Sequence, residues 1–422
     1  MKLAARPGGA GLWRRPDFLK LWAAQSVSSF GARITREGLA FAAVMSLGAS
    51  PAQVGVLAAL ARGPAIVVGL LGGGLVDRGR RRPILIWTDV GRALVLASIP
   101  LAAWLHIFSM AQLYIVAAVV GGLSVLFDMA DHAYLPFLIA RADLVEGNAK
   151  LATTESIAEI GGPSLAGLLF QLLTAPFAIV VNAGTYLFSA AVLATIRAPE
   201  PAPAPSGEIP AHPITDFGIG LAAALAHPVV RPLLLITCVS ALFGSFYSAL
   251  YILFALRVLG LTPAMLGATI SVGGVAALFG ATLARSLIQR FGIGPTFVFT
   301  GAAGGLGSLF IPLAHGGPVI GMLMLMAAQL LGDSFGTVNE IAGRSLRQTQ
   351  VPPELMGRVG GVFAAAPGLT GIIGAVVGGV LGGVLGPQHT LLIASAGVIA
   401  APALGYFSPL RAHTETTVAE EG

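Results

Sequence analysis

Long apolar runs alternate with short polar interruptions along the chain. Read between charges, prolines and glycines, there are twelve such runs, near 17–47, 52–76, 83–107, 111–140, 148–173, 175–197, 229–259, 263–288, 293–314, 317–346, 357–385 and 388–409. A hydrocarbon core of about 30 Å takes roughly 20 residues of helix, so each run predicts one membrane-crossing span. The runs are rich in glycine and alanine, which lets helices approach closely inside lipid.

Composition points the same way. Of 422 residues, 55% are hydrophobic and only 10% charged, with a mean hydropathy of +0.85. A soluble chain carries roughly 25% charged residues, so an ordinary water-facing surface is excluded. The expected class is an all-α integral membrane protein with twelve transmembrane helices. The single cysteine, Cys238, cannot close an intrachain disulfide and implies no oxidising compartment. The start of the chain is basic but has no short apolar core followed by a small-residue cleavage site, so no cleaved signal peptide is expected.

The placement of positive charge then orients the spans. Arg14, Arg15 and Lys20 precede span 1, and Arg78, Arg80, Arg81 and Arg82 fill the turn between spans 2 and 3. Arg141 and Lys150 flank the 4–5 turn, Arg197 ends span 6, and Arg231 begins span 7. Arg285 and Arg290 lie between spans 8 and 9, Arg344, Arg347 and Arg358 surround the 10–11 turn, and Arg411 follows span 12. The opposite turns, such as 48–52 and 173–177, carry no Lys or Arg, and only Arg257 lies near that side. The positive-inside rule makes the first set cytoplasmic. The expected location is the bacterial inner membrane, with both termini in the cytoplasm.

Residues 198–213, A-P-E-P-A-P-A-P-S-G-E-I-P-A-H-P, break the pattern. Alternating proline favours an extended, solvated linker. It divides the chain into an N-terminal six-helix half, 1–197, a Pro-rich cytoplasmic linker, 198–228, a C-terminal six-helix half, 229–411, and a cytoplasmic tail, 412–422. The halves echo one another. G-A-S-P-A-Q-V-G from Gly48 matches G-L-T-P-A-M-L-G from Gly260, and A-D-L-V at 142–145 matches P-E-L-M at 353–356. Two pseudo-symmetric six-helix halves in parallel repeat are a transporter plan, with the substrate site between them near the midplane.

The turn after span 2, G-G-G-L-V-D-R-G-R-R-R, resembles the signature loop of the major facilitator superfamily through Gly73, Asp77, Arg78, Gly79, Arg81 and Arg82. Further stretches resemble its enterobactin-exporter-like and macrolide-efflux-like branch. They are D-F-L-K-L-W-A-A-Q-S-V-S-S-F-G at 17–31, Y-L-P-F-L-I-A-R-A-D-L-V-E-G-N-A-K-L at 134–151, H-P-V-V-R-P-L-L at 227–234 and P-P-E-L-M-G-R-V at 352–359. The resemblance implies a secondary transporter and does not specify a substrate. The second-half counterpart of the loop, L-A-R-S-L-I-Q-R-F-G, lacks the acid and has Gln289 near its place. A carboxylate at Asp77 is favoured beside a helix N-terminus, which the resemblance places at the start of span 11. Arg78 and Arg82 are candidates to pair with Asp89 of span 3 or with Asp143, forming a cytoplasmic gate. Topology and contact with anionic lipid account for the same arginines.

Charges inside spans cost on the order of 3 kcal/mol each and mark cavities or partners. Span 1 has Arg33, Arg36 and Glu37 on one face, and span 4 has Asp128, Asp131 and His132 at the same spacing. Span 5 has Glu155 and Glu159 one turn apart, and span 10 has Asp333, Asn339 and Glu340. At about 1.5 Å per residue, Arg33, Asp128 and Asp333 fall near the midplane. The resemblance implies that spans 1, 4, 7 and 10 line the central cavity. Proton coupling needs a carboxylate tuned by desolvation and by a neighbouring charge. Asp128 and Asp131 are the first candidates, with Arg33 as the cation whose approach releases the proton, and Glu155 and Glu159 come second. The alternative is a structural ion pair between spans 1 and 4. In span 5, G-G-P-S-L-A-G at 161–167 resembles the Gly-Pro motif of antiporters in the superfamily, through Gly162, Pro163 and Gly167.

No phosphate loop, H-E-x-x-H or Cys–His cluster is present in the sequence, so an enzyme is not expected. The expected function is proton-coupled efflux of a small amphipathic compound, such as a drug, siderophore or metabolite, by alternating access. A proton-coupled importer is the nearer rival, and a non-transporting receptor or channel the more distant one. The expected partners are a small molecule, protons and membrane lipid, with no nucleic acid. The energy source is the proton gradient without a cofactor, and the expected state is a monomer.

Overall fold

The computed structural model describes residues 11–71, 76, 79–173, 175–200 and 213–412. Among these the chain is helical and contains no strand. The helices are α1 (Pro16–Phe41), α2 (Pro51–Leu71), α3 (Arg81–Trp104), α4 (Met110–Leu138), α5 (Leu144–Leu172) and α6 (Ala175–Ala194). After a short helix α7 (Pro213–Ala226) come α8 (Val230–Leu253), α9 (Pro263–Phe291), α10 (Ile293–Ser308), α11 (Pro318–Gln350), α12 (Pro353–Val384) and α13 (Pro387–Ala400).

Nine of the described helices are long and apolar enough to cross a membrane, α13 together with the turns that carry it to Tyr406. The other three long ones fall short for readable reasons. The α1 helix carries Asp17, Lys20, Arg33, Arg36 and Glu37, and α5 carries Glu146, Lys150, Glu155 and Glu159, so charge lowers their hydropathy. At 26 and 29 residues both still exceed the roughly 20 residues a bilayer requires. The α10 helix is 16 residues and continues in turns to Ala314. Several helices outrun their apolar runs because capping residues extend them: α12 begins at Pro353, with Glu354 in its first turn, rather than at 357.

The internal repeat is visible in the backbone. Both α1 and α8 end in a π-helical turn, Ala42–Ser46 and Phe254–Val258. Each is followed by a glycine in the left-handed region, Gly48 at φ +63° and Gly260 at φ +70°. A hydroxyl then caps the next helix: Ser50 Oγ accepts from the Gln53 amide at 3.3 Å, and Thr262 Oγ1 from the Met265 amide at 3.3 Å. Proline follows each cap, where its missing N–H costs nothing. The repeated G-x-[ST]-P is therefore one turn built twice. Gly260→Val should cost about 1–2 kcal/mol, read as a lower unfolding temperature, because an L side chain disfavours that φ even where space is open.

By proximity the chain divides into two compact units, Met1–Leu47 with Ala61–Ile209 and Gly48–Leu60 with Pro210–Gly422. The stretch expected as linker, 198–228, is helical from Pro213 to Ala226. Its alternating prolines end at Pro213, and the G-I-G-L-A-A-A-L-A at 218–226 has good helix formers with an apolar face before Pro228 closes the stretch. That face joins Val230, Leu234, Val359 and Val362 in an apolar cluster, and Asp216 accepts from Arg358 Nε at 2.8 Å.

In the first unit an apolar cluster gathers Leu12, Phe18, Leu21, Val76, Leu85 and Tyr134. A polar seam joins α1 to α6, with Asn182 Nδ2 donating to Thr35 Oγ1 at 2.5 Å and Thr35 Oγ1 lying 3.3 Å from the Tyr186 hydroxyl. In the second unit glycine brings backbones together: a Cβ on Gly280 of α9 would overlap the Ser334 carbonyl of α11.

Candidate functional site

Three helices of the first unit, α1, α4 and α5, surround a polar cavity of about 350 Å³. Helical spacing puts Asp128, Asp131 and His132 on one face of α4, and all three line the cavity with Gln25 of α1 and Glu155 of α5. Asp131 accepts a hydrogen bond from the Gln25 amide. Trp22 Nε1 donates to Thr154 Oγ1 at 2.9 Å and ties α1 to α5 beside the cavity.

Arg33 turns to α5, where it pairs with Glu159 and lies 3.7 Å from Glu155. Arg36 adds a second contact to Glu159 at 3.5 Å. Arg33 is 11% exposed, whereas the side chains of Glu155 and Glu159 are 69% and 43% exposed. The cation is thus fixed within the helix pair while its acids face open space. Glu37 follows Arg36 on α1 and is half-buried.

The glycine–proline motif lies at this contact. A Cβ placed on Gly162 would lie 2.5 Å from Arg33 Cβ and 2.8 Å from its Cγ, so only glycine lets the stem of Arg33 pass. Pro163 has no N–H and cannot bond the carbonyl of residue 159, which loosens α5 at the residue that holds Arg33. Gly162, Pro163 and Gly167 are all buried in α5.

Of the gate motif, Gly73, Asp77 and Arg78 lie outside the described residues; Gly79 precedes α3, and Arg81 and Arg82 begin it. Arg82 donates from Nε to the Leu193 carbonyl at 3.0 Å and from its terminal nitrogen to the Ala194 carbonyl, capping the end of α6. The suggested partners of Arg82 are engaged elsewhere: Asp89 with Arg92, and Asp143 with Arg15 at 2.7 Å. Asp89 and Arg92, both on α3, have side chains 0% and 2% exposed.

Sequence reasoning overlooked Glu200. Its carboxylate accepts from the backbone N–H of Arg81 at 2.5 Å and of Arg82 at 3.2 Å, and lies 3.8 Å from the Arg81 guanidinium. That guanidinium also rests on the Phe137 ring at 4.7 Å. The first turn of a helix offers free N–H groups to an anion, and here the opening of the linker supplies one. With Glu200 only 6% exposed, Glu200→Ala should destabilise the protein by about 1–3 kcal/mol. Glu200→Gln should cost less, because an amide oxygen still accepts; thermal unfolding of the purified variants checks both. Gln25 and Arg92 are likewise absent from the expected set, although T-D-V-G-R puts Asp89 and Arg92 at i, i+3 inside an apolar span.

The remaining expected residues belong to the second unit. The carboxylate of Asp333 on α11 lies against Gly273 of α9, where a Cβ would overlap it. Asn339 Nδ2 donates to the Phe297 carbonyl of α10 at 2.6 Å, and Glu340 pairs with Arg344 at 2.7 Å. Asn339, Glu340, Arg347 and Phe363 line a second cavity of about 380 Å³. The structure therefore joins Arg33, Arg36, Glu155 and Glu159 in one ion network and Asp128, Asp131, His132 and Glu155 in one cavity. Glu155 belongs to both.

The model of the Major Facilitator Superfamily matches residues 21–375. An uncharacterized MFS-type transporter of Bacillus subtilis (strain 168), YfiS, is 27% identical over 365 residues, 84% of each chain. The multidrug efflux pump Tap of Mycolicibacterium fortuitum is 26% identical over 359 residues, 82% of this chain and 84% of its own. Among solved structures, the nucleoside transporter NupG aligns with a TM-score of 0.74 at 14% identity, over 93% of this chain and 98% of its own. A bacterial homologue of the iron transporter ferroportin gives 0.72 at 16% identity, over 92% and 98%. These two likenesses show the shared fold.

Proposed function

The chain belongs to the Major Facilitator Superfamily, and from that premise we propose that it exports a small amphipathic compound from the bacterial cytoplasm in exchange for protons, by alternating access. It is a multi-pass membrane transporter rather than an enzyme. The observation that carries the proton-coupled reading is the α1–α4–α5 cavity, where three carboxylates, Asp128, Asp131 and Glu155, share one polar space. One of them, Glu155, is also in contact with Arg33.

An antiporter must let substrate and proton compete for one set of charges. Ionised carboxylates hold the substrate-ready form, and protonation removes the charge that binds. Arg33, fixed by Gly162 and bonded to Glu159, limits how many of the neighbouring acids bear uncompensated charge. The Gly162–Pro163 break supplies a flexible point in α5. The multidrug efflux activity of Tap supports the outward direction. On this reading the protein works as a monomer in the inner membrane, with both termini cytoplasmic and the proton gradient as its energy source.

Inside-out vesicles with an acidified lumen test the proposal. A panel of amphipathic drugs, siderophores and metabolites should include one compound that accumulates in the lumen, saturably, and is released by a protonophore. Accumulation only in right-side-out vesicles would establish the importer instead.

A further inference from the structure

The first unit holds a charged pair that the proposed cycle has not used. Asp89 and Arg92 pair one helical turn apart on α3, both shut away from solvent. The Arg92 guanidinium lies between two rings, 4.3 Å from the centroid of Phe127 on α4 and 4.3 Å from that of Tyr186 on α6. Its NH1 reaches Ser124 Oγ at 3.4 Å, while its Nε has no acceptor among the described residues. A buried ion pair is a poor source of stability, since well-packed apolar residues of similar volume commonly do as well or better. A guanidinium with an unused donor, inside a span where charge is costly, is an expensive way to fill space.

Its position gives it a use. Phe127, on whose face Arg92 rests, lines the cavity, and the next residue is Asp128. Ser124, which the Arg92 guanidinium reaches, stands one helical turn before Asp128 on the same face of α4. Arg33, expected from sequence to be the cation that answers the α4 carboxylates, is bonded to Glu159.

We propose that Arg92 is the positioning residue for the cavity carboxylate Asp128: a cation held behind the Phe127 ring and shared between Asp89 and Asp128, which sets when Asp128 is charged. With Asp128 ionised, Arg92 balances it across the ring; with Asp128 protonated, Arg92 is left to Asp89. The groups in contact with Arg92 are Asp89 on its own helix, Ser124 and Phe127 on α4, and Tyr186 on α6, and Asp128 is the nearest carboxylate along α4 from Phe127. The inference rests on reading Asp128 as a proton-carrying group, yet its test needs no transport.

Dicyclohexylcarbodiimide modifies a carboxyl group in its protonated form. Site-resolved labelling of Asp128 in the purified full chain near neutral pH, followed by mass spectrometry, therefore reports the charge of that residue. Arg92→Gln removes the cation and should raise labelling at least about threefold. Asp89→Asn frees Arg92 for Asp128 and should lower it by at least about twofold, while Arg92→Lys should stay near the wild type. A purely structural pair would change labelling in the same direction when either member is removed, and that outcome overturns the proposal, as does no change in either variant. Should Arg92→Gln not fold, lowered labelling in Asp89→Asn beside unchanged labelling in Arg92→Lys still decides the matter. Wild-type protein that labels as expected but shows no proton-driven flux would remove the coupling reading and leave the Arg92 assignment standing.

Discussion

Asp128→Asn combined with Asp131→Asn should abolish proton-driven accumulation, by about 100-fold or more, in a protein that still folds. Asparagine matches aspartate in shape, and its Oδ1 can still accept the Gln25 hydrogen bond now made by Asp131. The change therefore removes titratable charge from the cavity and little else. Glu155 survives in the double variant, but it lies beside Arg33 and cannot take over both positions. Accumulation in acidified inside-out vesicles, with unfolding temperature as control, provides the measurement. Full gradient-driven accumulation in a stable double variant would show that the coupling site lies elsewhere.

Gly162→Leu should be nearly as damaging by a different route. The Arg33 stem already occupies the space where a side chain would begin, and neither helix can yield without moving the ion pair. Overpacking a tight contact costs about 1–3 kcal/mol, and here it should also separate Arg33 from Glu159, ending transport. The adjacent glycine is the internal control. A Cβ on Gly161 would meet Phe30 at 3.5 Å, an ordinary contact, and alanine has the better helix propensity by about 1 kcal/mol. Gly161→Ala should accordingly leave unfolding temperature unchanged or raised. Equal losses at both positions would mean that α5 tolerates no substitution here, and the specific role of Gly162 would fail.

Much of the fold was readable because lipid imposes length and polarity on each helix. Turn chemistry was readable too: G-A-S-P and G-L-T-P encode the same cap, and the structure builds it twice. Charges on α1, α4 and α5 announced themselves by being out of place. What spacing could not decide was the partner across helices. Periodicity puts Arg33 and Arg36 on one face of α1 without saying whether α4 or α5 packs there. That choice depends on Gly162, whose missing side chain opens the path to Glu159. Glu200 was hidden by its setting among alternating prolines, where composition predicts solvent and the structure shows a capped helix start. Arg92 is masked in the sequence because the arginines of the α2–α3 turn offer Asp89 competing partners, although its partner stands three residues away.

Proton exchange for substrate can be observed directly in a single preparation. Proteoliposomes holding the purified protein and a luminal pH dye are given a transported compound from the side of the positively charged turns, with no membrane potential. Antiport requires the lumen to become more alkaline as the compound enters, and the signal to vanish with Asp128→Asn and Asp131→Asn. Entry of the compound with no change in luminal pH, or with acidification, would contradict proton-coupled export.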